Sequence, residues 1–103
     1  MLTVTIRELR ADTALRRTWR SRHRTTDPGV AIDRALGRHF GKRAFFQPDL
    51  DVRADGTWYG QVFEDVSAPG EPWAANSLTG RVRVDVRPAR IADSAQATAH
   101  HPA

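Results

Sequence analysis

The arginines near the N-terminus have the spacing that most suggests chemistry. Arg16, Arg20 and Arg24 recur every four residues, which places them on one face of a helix. No Asp or Glu lies between residues 13 and 26 to neutralise them. The planar guanidinium group forms two parallel hydrogen bonds to a phosphate, so such a face suits a nucleic-acid backbone. We predict phosphate contacts from this helix through Arg16, Arg17, Arg20 and Arg24.

A second basic row alternates with valines near the C-terminus. Val82, Val84 and Val86 occupy every second position, which predicts a strand with one core face and one charged face. Pro88 ends this strand because it cannot donate to a ladder. The charged face carries Arg81, Arg83 and Arg87. These arginines extend the phosphate-binding surface or, as an alternative, pair across strands with acidic residues such as Asp49, Asp51 or Glu64.

The aromatic residues support a different kind of contact. Trp58 and Tyr59 lie in a strand-like run with bulky groups on both faces, and Trp73 lies in a long Pro- and Gly-containing segment. Trp, Tyr and Arg are the residues that most often dominate protein interfaces. Trp58, Tyr59 and Trp73 are therefore the candidate contacts of a protein-binding module or inhibitor.

No motif in the sequence indicates catalysis or a metal site. A calcium loop opened by Asp51 would place Arg53 and Val62 where ligands are required. His39 falls on an apolar helix arc, which is typical of a core histidine, and His23 has no second catalytic group at a supporting spacing. We predict no catalytic residues, no metal and no cofactor.

The composition is that of a small basic domain. The chain has 103 residues, 16 Lys+Arg against 12 Asp+Glu and a net charge of +4, and Lys42 is its single lysine. Part of this arginine excess is what a GC-rich genome would produce without any ligand. The absence of cysteine and of a long apolar run fits a cytoplasmic protein.

The periodicities predict an α+β fold with the element order β-α-α-β-β-β. An antiparallel sheet of about four strands would carry two helices on one face. Asp27 and Pro28 are the capping and first residues of the second helix. The domain would span residues 1–91, followed by a flexible tail over 92–103. The predicted elements are a strand over 2–9, helices over 13–24 and 28–40, a hairpin of 44–53 with 57–64, a loop over 65–78 held by Trp73, and a last strand ending at Pro88.

This predicted order, in a basic chain of about this length, resembles the RelE/ParE toxin superfamily. The resemblance covers the order of elements over residues 2–88. Ribonuclease members of that superfamily cleave mRNA on the ribosome with basic residues on the sheet and a C-terminal Tyr or His. Here the resemblance assigns the basic role to the last strand, which no Tyr follows, and His100 and His101 lie beyond it in the tail.

These observations favour a non-enzymatic protein that binds DNA, RNA or a nucleoprotein complex. A regulator or accessory factor of a bacterium or a mobile genetic element fits this description. One alternative is a phage- or plasmid-encoded inhibitor that docks on a host complex through its aromatic residues. The other is the RelE/ParE-like ribonuclease.

Overall fold

The valine-rich last strand is the central strand of a five-stranded antiparallel sheet. The computed structural model describes residues 1–9, 17–49 and 55–89. Its elements, in chain order, are β1 (Leu2–Glu8), β2 (Thr18–His23), α1 (Pro28–Phe40), β3 (Ala44–Pro48), β4 (Thr57–Asp65) and β5 (Ala75–Pro88). The strands are arranged β2-β1-β5-β4-β3, and every neighbouring pair is antiparallel.

The α+β class and the single antiparallel sheet are confirmed, whereas the element order is corrected. The observed order is β-β-α-β-β-β, with five strands and one helix among the described residues. The RelE/ParE resemblance depended on the β-α-α-β-β-β order, so the structure no longer supports it. The part of the chain that the structure describes contains no helix long and apolar enough to cross a membrane.

The prediction of a helix over residues 13–24 is wrong where it can be compared. Residues 18–23 form β2, which pairs with β1 from Leu2↔His23 to Arg7↔Thr18, while residues 13–16 lie outside the described residues. Thr18 to His23 also alternate between exposed and more buried positions, as a strand does. Pairing with β1 satisfies the backbone of this segment and buries its second face, which outweighs a weak helical pattern.

The prediction of a helix over residues 28–40 is confirmed, including its start. The Asp27 carboxylate accepts hydrogen bonds from the backbone N–H groups of Gly29, at 2.8 Å, and Val30, at 3.3 Å. These donors have no partner within the helix, so an Asp cap satisfies them. At the other end Gly41 has a φ of 108°, a conformation that favours glycine.

The core lies between α1 and one face of the sheet. Alternation along the paired strands directs Val4, Ile6, Val62, Val82, Val84 and Val86 to the helix, where Ala31, Ala35 and Leu36 meet them. All of these side chains are buried. Burying an aliphatic side chain of this size contributes about 1.5–3 kcal/mol, so this layer is the main source of stability.

The buried carboxylate of Glu8 stabilises the irregular part of β5. The pairing of β4 with β5 shifts register between Gln61 and Phe63. At this shift the backbone N–H of Val62 donates a hydrogen bond to Thr79 Oγ1 in place of a backbone partner in the ladder. Fully buried Glu8 accepts a hydrogen bond from Gly80 N at 3.3 Å. It also accepts hydrogen bonds from Arg17 Nε, at 3.1 Å, and from Arg17 NH2, at 2.6 Å. Glu8 therefore joins the start of β2 to the bulge of β5.

The predicted loop over residues 65–78 is shorter than expected, because β5 begins at Ala75. Trp73 does not hold this loop in the core, since its side chain is 68% exposed. The hairpin prediction is confirmed by the pairing of β3 with β4, although its residues 50–54 lie outside the described residues. The predicted tail over 92–103, with His100 and His101, also lies outside them.

Candidate nucleic-acid interface

The sheet face opposite α1 is covered by polar and charged side chains. Residues directly opposite each other on paired strands share a face. The registers set three cross-strand rows on this side: Arg22–Thr3–Arg87, Arg20–Thr5–Asp85–Thr57 and Thr18–Arg7–Arg83–Tyr59. We call this surface the arginine face, defined by Arg7, Arg20, Arg22, Arg83 and Arg87.

The arginine face has a shallow depression at its centre. Its volume is about 250 Å³, and it is lined by Thr5, Arg7, Arg20, Arg83, Asp85 and Arg87. Neighbouring strands lie about 4.8 Å apart, so the cations of β2, β1 and β5 span roughly 10 Å.

Asp85 is the carboxylate that organises the depression. Its Oδ1 accepts hydrogen bonds from Thr57 Oγ1, at 2.8 Å, and Arg83 Nε, at 3.2 Å, while Oδ2 lies 3.0 Å from the same Arg83 Nε. Arg87 NH2 is 3.5 Å from Oδ1 and Arg7 NH1 is 3.9 Å from Oδ2. Three guanidinium groups share one carboxylate, so the cluster keeps a net positive charge.

These arginines differ in how firmly they are held. Arg87 donates to the backbone oxygens of Asp55 and Val86 and to Thr57 Oγ1, which fixes its side chain. Arg7, Arg83 and Arg87 keep 55%, 40% and 46% of their side-chain surface exposed despite their ion pairs, so they differ in their hydrogen bonds and not in their exposure. Arg20 is exposed on the outermost strand and lines the depression.

Two further arginines of the predicted phosphate surface, Arg17 and Arg24, are not part of the arginine face. Arg17 is paired with buried Glu8, which raises the pKa of its guanidinium group, and it packs 5.1 Å from the Trp19 ring on the helix side. Arg24 follows β2 and is exposed, with its carbonyl accepting from Arg34. Arg16 lies outside the described residues.

Arg81 is at the rim of the arginine face. It forms an ion pair with Asp49 at 2.8 Å, as the cross-strand alternative predicted for this row, and its guanidinium group lies 5.3 Å from the centre of the Tyr59 ring. Tyr59 is opposite Arg83 in register and is half-buried. Proteins that bind single-stranded nucleic acid combine a positively charged groove with aromatic rings on which bases stack.

Sequence reasoning missed Arg7, Arg22 and Asp85 as members of this surface. Arg7 was recognisable, because it continues the alternation of Leu2, Val4 and Ile6 on the polar side. Arg22 was assigned to the apolar side of a helix that does not form. The central role of Asp85 has no sequence signal, since it depends on β1 lying beside β5.

The three aromatic candidates do not form one surface. Trp58 lies on the same side of the sheet as Val62 and lines a cleft beside α1. Tyr59 lies on the opposite side, on the arginine face. Trp73 lies 6.0 Å from Phe45, whose ring stacks on Phe63 at 5.8 Å. A protein contact through Trp73 would therefore use Phe45 and Phe63 as its neighbours, without Trp58 and Tyr59.

A buried polar cluster joins β2 to α1. Ser21 Oγ lies 2.7 Å from His23 Nε2 and 3.1 Å from His39 Nε2. Burial lowers the pKa of both imidazoles, and the neighbouring Arg38 lowers them further, with Arg34 also acting on His23. Both rings are thereby favoured as neutral hydrogen-bonding groups. Because Ser21 and His23 are buried beneath the helix, this cluster attaches α1 to the sheet rather than contacting a ligand.

Comparison with known proteins identifies no family or relative for this chain, so any function must be inferred from the geometry. No protein-family model matches the chain, and no curated protein or solved structure is significantly similar to it. Among the described residues, no group of three or more His, Asp or Glu side chains is placed to hold a metal ion.

Proposed function

We propose that this protein is a non-enzymatic nucleic-acid-binding protein whose arginine face contacts the phosphodiester backbone. The observation that carries the proposal is the set of arginines from β1, β2 and β5 on the sheet face that α1 leaves uncovered. Backbone phosphates are recognised through charge and hydrogen-bond donors, without dependence on sequence. We further propose a role as a regulator or accessory factor of a bacterial or mobile-element nucleoprotein, which is compatible with such sequence-independent binding.

Single-stranded nucleic acid is the favoured ligand. Tyr59 offers a half-exposed ring beside Arg83, so a phosphate and an adjacent base can be held together. The base of a duplex is stacked inside the helix and cannot reach such a ring. A sheet face that no helix covers also accommodates an extended strand across its rows.

The test is binding of fluorescent single-stranded and duplex oligonucleotides of DNA and RNA at low salt, followed by fluorescence anisotropy. The double variant Arg20→Gln/Arg22→Gln removes two cations from the edge of the arginine face. The matched control, Arg34→Gln/Arg38→Gln, removes the same charge from exposed positions of α1 on the other side of the sheet. We expect the first variant to weaken binding about tenfold or more and the control to change it little.

Two results would overturn the proposal. One is the absence of binding to every oligonucleotide at low salt. The other is an equal loss of affinity in both double variants, which would mean that net charge, and not the arginine face, attracts the ligand.

A second candidate function is a protein-binding module, and the exposure of Trp73 favours it. A tryptophan that is 68% exposed, with two phenylalanine rings behind it, is the type of residue that anchors protein interfaces. Trp73→Ala should then abolish capture of a partner and leave the circular-dichroism spectrum and melting temperature unchanged. Loss of the fold in this variant would show that Trp73 is structural and would remove this candidate.

A further inference from the structure

A cleft between the start of α1 and the outer hairpin is separate from the arginine face. Its volume is about 350 Å³, within the range of pockets that bind small molecules. The lining residues are Gly29, Ile32, Asp33, Phe45, Phe46, Pro48 and Trp58, and the ring of Phe45 is directed to the other side of the sheet, against Phe63. Phe46 and Trp58 pack against the core on the helix side of the sheet, so the cleft opens away from the arginines.

Two glycines shape the walls of this cleft. Gly29, Ile32 and Asp33 follow an i, i+3, i+4 spacing and therefore lie on one face of α1. Gly29 contributes no side chain to fill the space in front of the hairpin. On the sheet, Gly60 is opposite Pro48, and a Cβ at Gly60 would collide with the Gln47 carbonyl oxygen. This close approach lets Pro48 form a wall beside Trp58.

The cleft combines aromatic rings with one carboxylate. The faces of aromatic rings carry partial negative charge and attract cations, and tryptophan does so most strongly. Asp33 is exposed, and no described residue forms an ion pair or hydrogen bond with it. Its helix neighbours three and four positions away are Gly29, Val30, Leu36 and Gly37, none of which is basic. The cleft therefore holds an unneutralised negative charge in a protein that is otherwise rich in arginine.

The same geometry disfavours an anionic ligand. The first N–H groups of α1 would attract an anion, but Asp27 already accepts hydrogen bonds from Gly29 and Val30. The charge of Asp33 would also repel it. A neutral apolar ligand would leave Asp33 without a partner, whereas a cation with a diffuse, weakly hydrated charge satisfies the rings and the carboxylate together.

We propose that the cleft lined by Phe46, Trp58 and Asp33 binds a quaternary ammonium group, as in choline or a trimethylated lysine. The three methyl groups contact the rings, and the positive charge is shared with the Asp33 carboxylate. This site is independent of nucleic-acid binding, because it lies on the other side of the sheet.

The experiment compares choline with 3,3-dimethylbutan-1-ol, which has the same shape and no charge. Both are titrated into the ¹⁵N-labelled protein, and the indole N–H resonance of Trp58, assigned with Trp58→Phe, reports binding. We expect choline to bind about tenfold more tightly than the alcohol. A parallel titration with free Nε-trimethyl-lysine shows which of the two sources of this group is preferred.

The variant Asp33→Asn should remove the preference for choline while leaving the weak binding of the alcohol. The control is Glu71→Gln, which removes an exposed carboxylate outside the cleft and should keep the preference. Well-dispersed spectra of each variant verify the fold. Equal affinity of the native protein for choline and the alcohol, or no movement of the Trp58 resonance with either, would overturn the proposal.

Discussion

Arg7 of β1 and Arg83 of β5 lie directly opposite each other on the arginine face. Like charges in this cross-strand position repel and destabilise a sheet. Asp85, one position further along β5 from Arg83 on the same face, contacts both guanidinium groups and offsets part of the repulsion. The remaining positive charge of this pair is what the proposed phosphate contact would use.

Removal of the Asp85 charge should destabilise the protein. The Asp85 side chain is 11% exposed, and Asn has nearly the same size, so Asp85→Asn should keep its packing. The guanidinium groups around it would lose their shared counter-charge. We expect the free energy of unfolding to fall by about 2 kcal/mol, as for a lost charged hydrogen bond. Urea denaturation at low and high salt measures it, and the loss should be larger at low salt because salt screens the arginines. Glu71→Gln is the control, and an unchanged stability would contradict the role of Asp85.

The salt dependence of nucleic-acid binding should report the number of phosphate contacts. For a single strand, log K falls with log salt by roughly 0.7 per neutralised phosphate. Three or four contacts on the arginine face would therefore produce a slope of roughly −2 to −3. Arg20→Gln/Arg22→Gln should make the slope shallower by about 1.4, whereas Arg34→Gln/Arg38→Gln should not alter it. A slope near zero in the native protein would exclude phosphate binding.

Arg17 should be needed for folding and not for binding. In Arg17→Gln the buried Glu8 would lose its guanidinium partner, and a buried carboxylate without a counter-charge is strongly unfavourable. We expect a loss of about 3 kcal/mol of unfolding free energy, measured with urea, which is the low end for a broken buried pair because Arg17 itself is half-exposed. The folded fraction should bind oligonucleotides with unchanged affinity. Arg24→Gln, an exposed arginine in the turn after β2, is the comparison and should leave stability unchanged. Weaker binding by Arg17→Gln at native stability would reverse this assignment.

Stability should decrease as the pH falls below the usual histidine range. The pKa values of His23 and His39 are lowered in the folded protein, chiefly by burial. The unfolded chain therefore takes up protons first, near pH 6.5, and this protonation lowers the free energy of the unfolded state relative to the folded state as the pH falls. Above that range both states hold neutral imidazoles and the stability is level. Each fully linked histidine contributes a slope of about 1.4 kcal/mol per pH unit.

Urea denaturation between pH 5 and pH 8 measures this dependence, above the range in which exposed carboxylates titrate. His39→Gln keeps a hydrogen-bonding group near Ser21 and removes one titrating ring, so its profile should be flatter between pH 5 and 6.5. A profile identical to that of the native protein would show that His39 does not contribute.

Local chemistry accounts for the elements that were predicted correctly. Asp27 and Pro28 define the start of α1 with contacts inside four residues, so no distant part of the chain is needed. The alternation of Val82, Val84 and Val86 requires a strand with one buried face, and β5 is that strand. The α+β class follows from these patterns.

Residues 17–23 show why part of the candidate site could not be predicted. The spacing of Arg16, Arg20 and Arg24 suits a helix, while Trp19, Ser21 and His23 alternate as in a strand, so the two patterns compete within one segment. The competition is decided by β1, whose outer edge offers backbone partners over six paired positions. Neither the helical spacing nor the strand alternation indicates that β1 pairs with this segment.

By itself the sequence determined the class of the fold, the helix from Pro28, the valine layer and an excess of arginine, because each depends on local periodicity or composition. Only the tertiary structure decided which arginines lie together. Pairing of β1 with both β2 and β5 brings Arg7, Arg20 and Arg83 to one face, and it assigns Arg17 to Glu8 on the other. Strand order and register bring together residues far apart in the chain, and these long-range pairings have no signature in a single sequence.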